Sequence, residues 1–148
     1  ASKEAINNYK GPKYIFYNKP NKGNIIINTG KTVAVAALDI AIKNNSEKII
    51  FIGQDLAYLN DKSHSEGILE KYGLKNEVLI NKSSKKVIGR NGQIMYTNKG
   101  YLLFKENIEK LIKDNNKIKF YNCSLGAEIK GAKFTTMKKL FEGDEIND

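Results

Sequence analysis

The run KIIFIGQDLAY, residues 48–58, places four consecutive apolar residues before a glycine, an amide and a carboxylate. Ile49, Ile50, Phe51 and Ile52 leave no polar face, which predicts a central strand of a parallel sheet covered by helices on both sides. Gly53 permits a sharp turn or a close ligand. Gln54 and Asp55 then fall just beyond the carboxyl end of the strand, where open α/β sheets bind ligands. Asp55 reads equally as the cap of a short helix beginning at Leu56. Upstream, residues 32–43, TVAVAALDIAIK, are apolar nearly all round and rich in alanine. They predict a buried helix stopped by Asn44 and Asn45. A short apolar run at 25–27 precedes it as a strand candidate. Strand, tight turn, buried helix and strand make a βαβ unit, with parallel pairing and a right-handed crossover.

The rest of the chain alternates in the same way. Residues 14–17, YIFY, suit a strand, and 18–23, NKPNKG, a turn. Residues 59–67 are polar and turn-rich, and 68–72 and 77–80 are weak candidates for short elements. Asn91 and Gly92 lie between two β-prone runs in 86–97, a strong hairpin signal. Leu102, Leu103, Ile108, Leu111 and Ile112 recur at helical spacing, with Asn115 and Asn116 ending the run. A strand at 117–121, a polar turn at 122–131 and a helix at 135–141 follow. Residues 1–13 read as a flexible lead-in and 142–148 as a frayed acidic tail. The expected fold is α/β and Rossmann-like: a mostly parallel sheet flanked by helices, with one β-hairpin, in a single domain over 1–148.

Composition narrows the setting. The 148 residues, 41% hydrophobic, suffice for one core. Cys123 is the one cysteine, so an internal disulfide and a cysteine-cluster metal site are excluded and a reducing compartment is expected. The longest mostly apolar stretch, 33–42, is too short to span a bilayer and contains Asp39, and the N-terminal residues lack a signal-peptide core. A soluble, cytoplasmic protein without a membrane partner is expected. The net charge of +9 is almost all lysine, with Arg90 the single arginine among 25 basic residues. Arginine is the usual bidentate reader of guanine and phosphate, and the lysines are scattered, so a solvated basic surface outweighs nucleic-acid binding. That surface suits attraction of an anionic small molecule or an acidic partner.

Three constellations carry candidate chemistry. Asn28, Thr29, Gly30, Lys31 and Thr32 lie at the start of the expected helix, where free N–H groups and the helix dipole suit a phosphate. The letters GKT resemble a phosphate-binding loop, but Ile25 stands where that motif requires glycine, so a P-loop NTPase is rejected. The same residues read equally as a capped helix start, with Thr29 or Thr32 as the cap. The second constellation follows Gly53: Gln54, Asp55, Asp61, His64 and Glu66. His64, the single histidine, suits a general base, although a lone loop histidine is more often plain surface. No zinc set is present. A carboxylate-bound Mg²⁺ is compatible with the composition but has no spacing signature, and no metal ligand is assigned. The third is Asn122, Cys123, Ser124, Leu125, Gly126 and Ala127, expected on the same sheet edge as Gly53 and Gly30. Cys123 has no histidine or basic neighbour in sequence and reads as structural.

TVAVAALDIAIK, IIFIGQDLAY, His64 in a polar loop and YNCSLGAEIKG, in this order, resemble the central domain of the motility-associated (Maf) flagellin glycosyltransferases. That domain falls in a wider MptE-like group that includes archaeal 6-hydroxymethylpterin pyrophosphokinases. The resemblance runs from about residue 24 to about residue 131, and GQDLA at a strand end is its most specific part. It implies a fold similar to bacterial sialyltransferases. It also implies transfer of a pseudaminic, legionaminic or sialic-type nonulosonic acid from a CMP-activated donor to serine or threonine of flagellin. On that reading Gly30, Lys31 and Thr32 face the phosphate, Gln54 and Asp55 orient sugar or nucleotide, and His64 takes the proton. The family domain opens with a further strand and a Gly-Pro-Ser-type turn, where this chain has Gly11, Pro12 and Lys13. The expectation is therefore a C-terminal portion of the domain, or a shortened relative. The rival expectations are an ATP- and Mg²⁺-dependent pterin pyrophosphokinase and a non-catalytic nucleotide-sugar-binding or scaffold module.

Overall fold

The computed structural model describes residues 7, 8, 10, 26–59 and 84–142. The strand and turn expected at 14–23, the weak elements at 68–80, His64 and the acidic tail beyond 142 lie outside the described residues.

Helix α1 (Val33–Lys43) begins where expected: Thr32 is extended and its hydroxyl accepts the Ala34 N–H at 3.3 Å, while Asn44 closes the other end. The helix is buried on one face only. Val35, Ala36, Leu38 and Asp39 are buried, whereas Val33 is 85% exposed, which corrects the expectation of burial all round. Thr29, Val33, Ala37 and Ile40 line a shallow apolar groove on the outer side. Alanines favour helix wherever they sit, so their number does not report how many sides are covered.

Strand β1 (Lys48–Phe51) follows, then the hairpin of β2 (Lys85–Ile88) and β3 (Ile94–Thr97), and helix α2 (Lys99–Asp114). Strand β4 (Lys119–Asn122), the two-residue β5 (Lys133–Phe134) and helix α3 (Met137–Glu142) complete the order. The three-stranded sheet runs β1-β4-β5 with both pairings parallel, and β2-β3 is a separate antiparallel pair. The fold is α/β. The hairpin turns at Asn91-Gly92 as expected, with Gly92 at φ +79. The strand β5 lies between the turn expected at 122–131 and the helix expected at 135–141, where the sequence suggested no element.

Two strand expectations need correction. Among the described residues the central strand is β4, not β1: β4 has a partner on each side, and Phe120 and Tyr121 are 5% exposed. In β1, Ile49 and Phe51 face the core while Ile50 is 40% exposed and, just beyond the strand, Ile52 is 62% exposed. Burial of a strand depends on what flanks it, and an unbroken apolar run does not supply flanks. Residues 26–28 form no strand, and Ile26 is 67% exposed. The Asn28 N–H donates to the buried Asp39 carboxylate at 2.7 Å, so its partner is α1 and not a neighbouring strand.

One hydrophobic cluster joins these elements. Val35 and Leu38 of α1, Ile108, Leu111 and Ile112 of α2, and Phe51 and Phe120 of the sheet pack together with Ala127 and Ile129. Phe51 and Phe120 stack with centroids 6.4 Å apart. Their adjacency follows from the parallel register, which pairs Ile49 with Phe120 and Phe51 with Asn122. This places Asn122 at the carboxyl end of the central strand.

Candidate functional site

The exits of β1 and β4 interlock. The Cys123 N–H continues the ladder to the Phe51 carbonyl at 2.9 Å. Gly53 then turns the chain at φ +68. The Gln54 N–H donates to the Ser124 hydroxyl at 2.9 Å, and Asp55 Oδ1 accepts the Leu125 N–H at 3.0 Å. The Asp55 carbonyl accepts the Ala127 N–H at 2.6 Å. The contact is tight enough that a Cβ on Gly126 would lie 2.0 Å from the Asp55 carbonyl oxygen. Two of the three glycine-bearing turns expected on one rim therefore meet, and much of their polar inventory is used in holding each other.

Asp55 does not cap a helix, because none starts there; its carboxylate holds the facing turn. Leu56, the next residue, takes φ +53, an unusual conformation for leucine. It is held by burial and by the Thr97 hydroxyl, which donates to its carbonyl at 2.8 Å. Ser124 and Asn122 are each 2% exposed. Asn122 Oδ1 accepts the Ser124 N–H at 2.9 Å, so the amide shapes its own turn.

The Gly30 turn has different partners. Thr32 N–H donates to the Thr29 carbonyl at 2.8 Å, and Gly30 N–H to Asn28 Oδ1 at 3.1 Å. Asn107 of α2 donates to the Gly30 carbonyl at 3.2 Å. Gly30 (φ +47) and Lys31 (φ +63) both lie in the left-handed region, so the turn reverses abruptly into α1. Among the described residues no hydrogen bond links this turn to Gln54, Asp55, Asn122 or Ser124. Thr32 is the helix cap, and Asn28 closes a local turn.

The open space lies on the other side of Asn122. A cavity of about 340 Å³ sits between the end of β4, β5 and the β2–β3 turn, lined among others by Arg90, Asn122, Glu128, Ile129, Ala132 and Phe134. The Arg90 guanidinium rests over the Phe134 ring, 4.9 Å from its centroid. The hairpin is pinned here: Arg90 N–H donates to the Gly126 carbonyl at 3.2 Å, Glu128 N–H donates to the Ile88 carbonyl at 2.8 Å, and Gly89 bridges Ala127. Arg90 is the site residue that sequence reasoning missed. Its signal was its position, a lone arginine beside an Asn-Gly hairpin turn.

Between the chain leaving β1 and the start of α2, Tyr58 and Tyr101 pack with centroids 5.8 Å apart. Burial raises the Tyr101 phenol above its ordinary value, with smaller contributions from Tyr58 and Asp55. Among the described residues no three His, Cys, Asp or Glu side chains converge as a metal set, and no helix is long and apolar enough to cross a membrane.

These features define an α/β domain whose parallel strands end in glycine turns beside a ligand-sized cavity. Residues 1–61, less than half of the chain, match the family described as 6-hydroxymethylpterin diphosphokinase MptE-like. No curated protein and no solved structure matches the chain significantly.

Proposed function

We propose that the chain is a glycosyltransferase-type domain of the MptE-like superfamily. It moves a nonulosonic acid from a CMP-activated donor to a serine or threonine hydroxyl of a flagellin-type acceptor in the cytoplasm. The observation that carries this reading is the cavity at the carboxyl end of the central parallel strand, the position where open α/β sheets take nucleotides. Its volume suits part of a nucleotide sugar, and the net charge of +9 favours an anionic donor. In the reaction the bond between the sugar's anomeric carbon and the phosphate oxygen breaks, and CMP leaves with the electron pair. The acceptor oxygen bonds to that carbon and gives its proton to His64. Equilibrium titration with CMP and a CMP-sugar, against ATP with Mg²⁺ and a pterin, tests the reading. Tight binding of ATP alone would overturn it. Replacing His64 with alanine is expected to abolish transfer while leaving donor affinity unchanged; surviving turnover would remove His64 from the mechanism.

A second reading, diphosphoryl transfer from ATP to a pterin, draws support from the description of the matching family. The same titration separates the two.

A further inference from the structure

We propose that Arg90 is the oxyanion anchor of the cavity beside β4, binding a phosphate or carboxylate whose carbon skeleton lies against Ile129 and Ala132. The identity of that oxyanion, donor phosphate or sugar carboxylate, rests on the nucleotide-sugar reading; the pocket itself does not. The β1 side of the β4 exit is filled by the chain's own hydrogen bonds, from Gln54 to Ser124 and from Leu125 to Asp55. The β5 side is open. Arg90 lines that opening with its guanidinium stacked on Phe134, an arrangement that orients the plane and leaves the N–H edge uncommitted. Among the described residues its guanidinium has no hydrogen-bond or ion-pair partner, although Glu128 lines the same cavity. A planar fork held beside a buried apolar wall recognises two oxygens at once, which a lysine in the same place would not do.

Three further features make the anchor rigid. The Arg90 backbone is tied to Gly126, the neighbouring Gly89 to Ala127, and the Asn91 N–H to Gln93 Oε1 at 2.9 Å. The backbone that carries the arginine is therefore held before a ligand arrives, and the stacking on Phe134 restrains its side chain, so binding loses less to side-chain entropy.

The test is a titration followed by amide NMR, with CMP supplying phosphate and N-acetylneuraminic acid supplying carboxylate, on the full chain and on Arg90→Lys, Arg90→Ala and Phe134→Leu. Wild type is expected to show shifts at Gly89, Gly92 and Ala132 with at least one ligand. Arg90→Ala is expected to weaken that ligand by about 10- to 100-fold. Arg90→Lys is expected to recover only part of the loss, with an unchanged spectrum elsewhere confirming the fold. Phe134→Leu, which keeps the charge and removes the stacking ring, is expected to fall between wild type and Arg90→Ala. Should CMP bind with shifts confined to Gln54 and Ser124 and with no dependence on Arg90, the anchor is overturned while the transferase reading stands. Should only the sugar acid bind, with Arg90 dependence, the anchor stands and the nucleotide reading fails. Arg90→Lys equal to wild type for both ligands would reduce Arg90 to a point charge and end the proposal of a fork.

Discussion

Single atoms decide the geometry around β4. Gly126 is required because the Asp55 backbone occupies the space a side chain would take. Gly126→Ala is expected to destabilise the chain by about 3 kcal/mol, at the upper end for overpacking, read as a lowered urea midpoint. A wild-type midpoint would show that the two turns separate at little cost. Tyr101 supplies a second residue-scale prediction. Its folded phenol titrates above the ordinary value of 10.0, so the folded state holds its proton after the unfolded state has lost it. The stabilisation is fully present below pH 10.0 and is lost as pH rises through the raised folded value. The stability difference between wild type and Tyr101→Phe is therefore expected to stay constant up to mildly alkaline pH and to move against wild type above it. Denaturation at a series of alkaline pH values checks this.

At the scale of elements, side-chain caps do more than end helices. Asn98 caps α2 by accepting the Tyr101 N–H at 2.8 Å and also donates to the Tyr58 hydroxyl at 2.8 Å. The helix start is thereby tied to the chain leaving β1. Asn98→Ala is expected to cost about 1 kcal/mol for the cap and about 1 kcal/mol for the hydroxyl bond. Asn98→Ser keeps only the cap and is expected to restore about half, as measured by equilibrium unfolding. The start of α1 and the hairpin were legible because they depend on neighbours in sequence: Thr32 before an alanine-rich run, Asn91-Gly92 between β-prone runs; the Asn98 cap of α2 was not read from the sequence. The interlock of Gln54 with Ser124 could not be read that way, since 70 positions separate the partners.

For the molecule as a whole, the net charge of +9 acts through its field, not through any one contact. Association of an anionic donor is expected to slow as salt rises, with the off-rate much less affected, because screening shortens to about 3 Å at molar salt and spares contacts already formed. Stopped-flow titration separates the two rates; an off-rate carrying the whole salt effect would contradict steering.

The amino-acid sequence alone determined the α/β class, the asparagine stops of α1 and α2, the hairpin at Asn91-Gly92 and the glycine at the exit of β1, because each depends on residues a few positions apart. Only the tertiary structure decided that β4 is central among the described residues, that Asp55 and Ser124 each accept a hydrogen bond from the facing turn, and that the open cavity lies beside Arg90. The reason is that strand order, and the choice of which polar groups satisfy one another, are settled by contacts between distant segments, where local hydrophobicity carries no information about the partner.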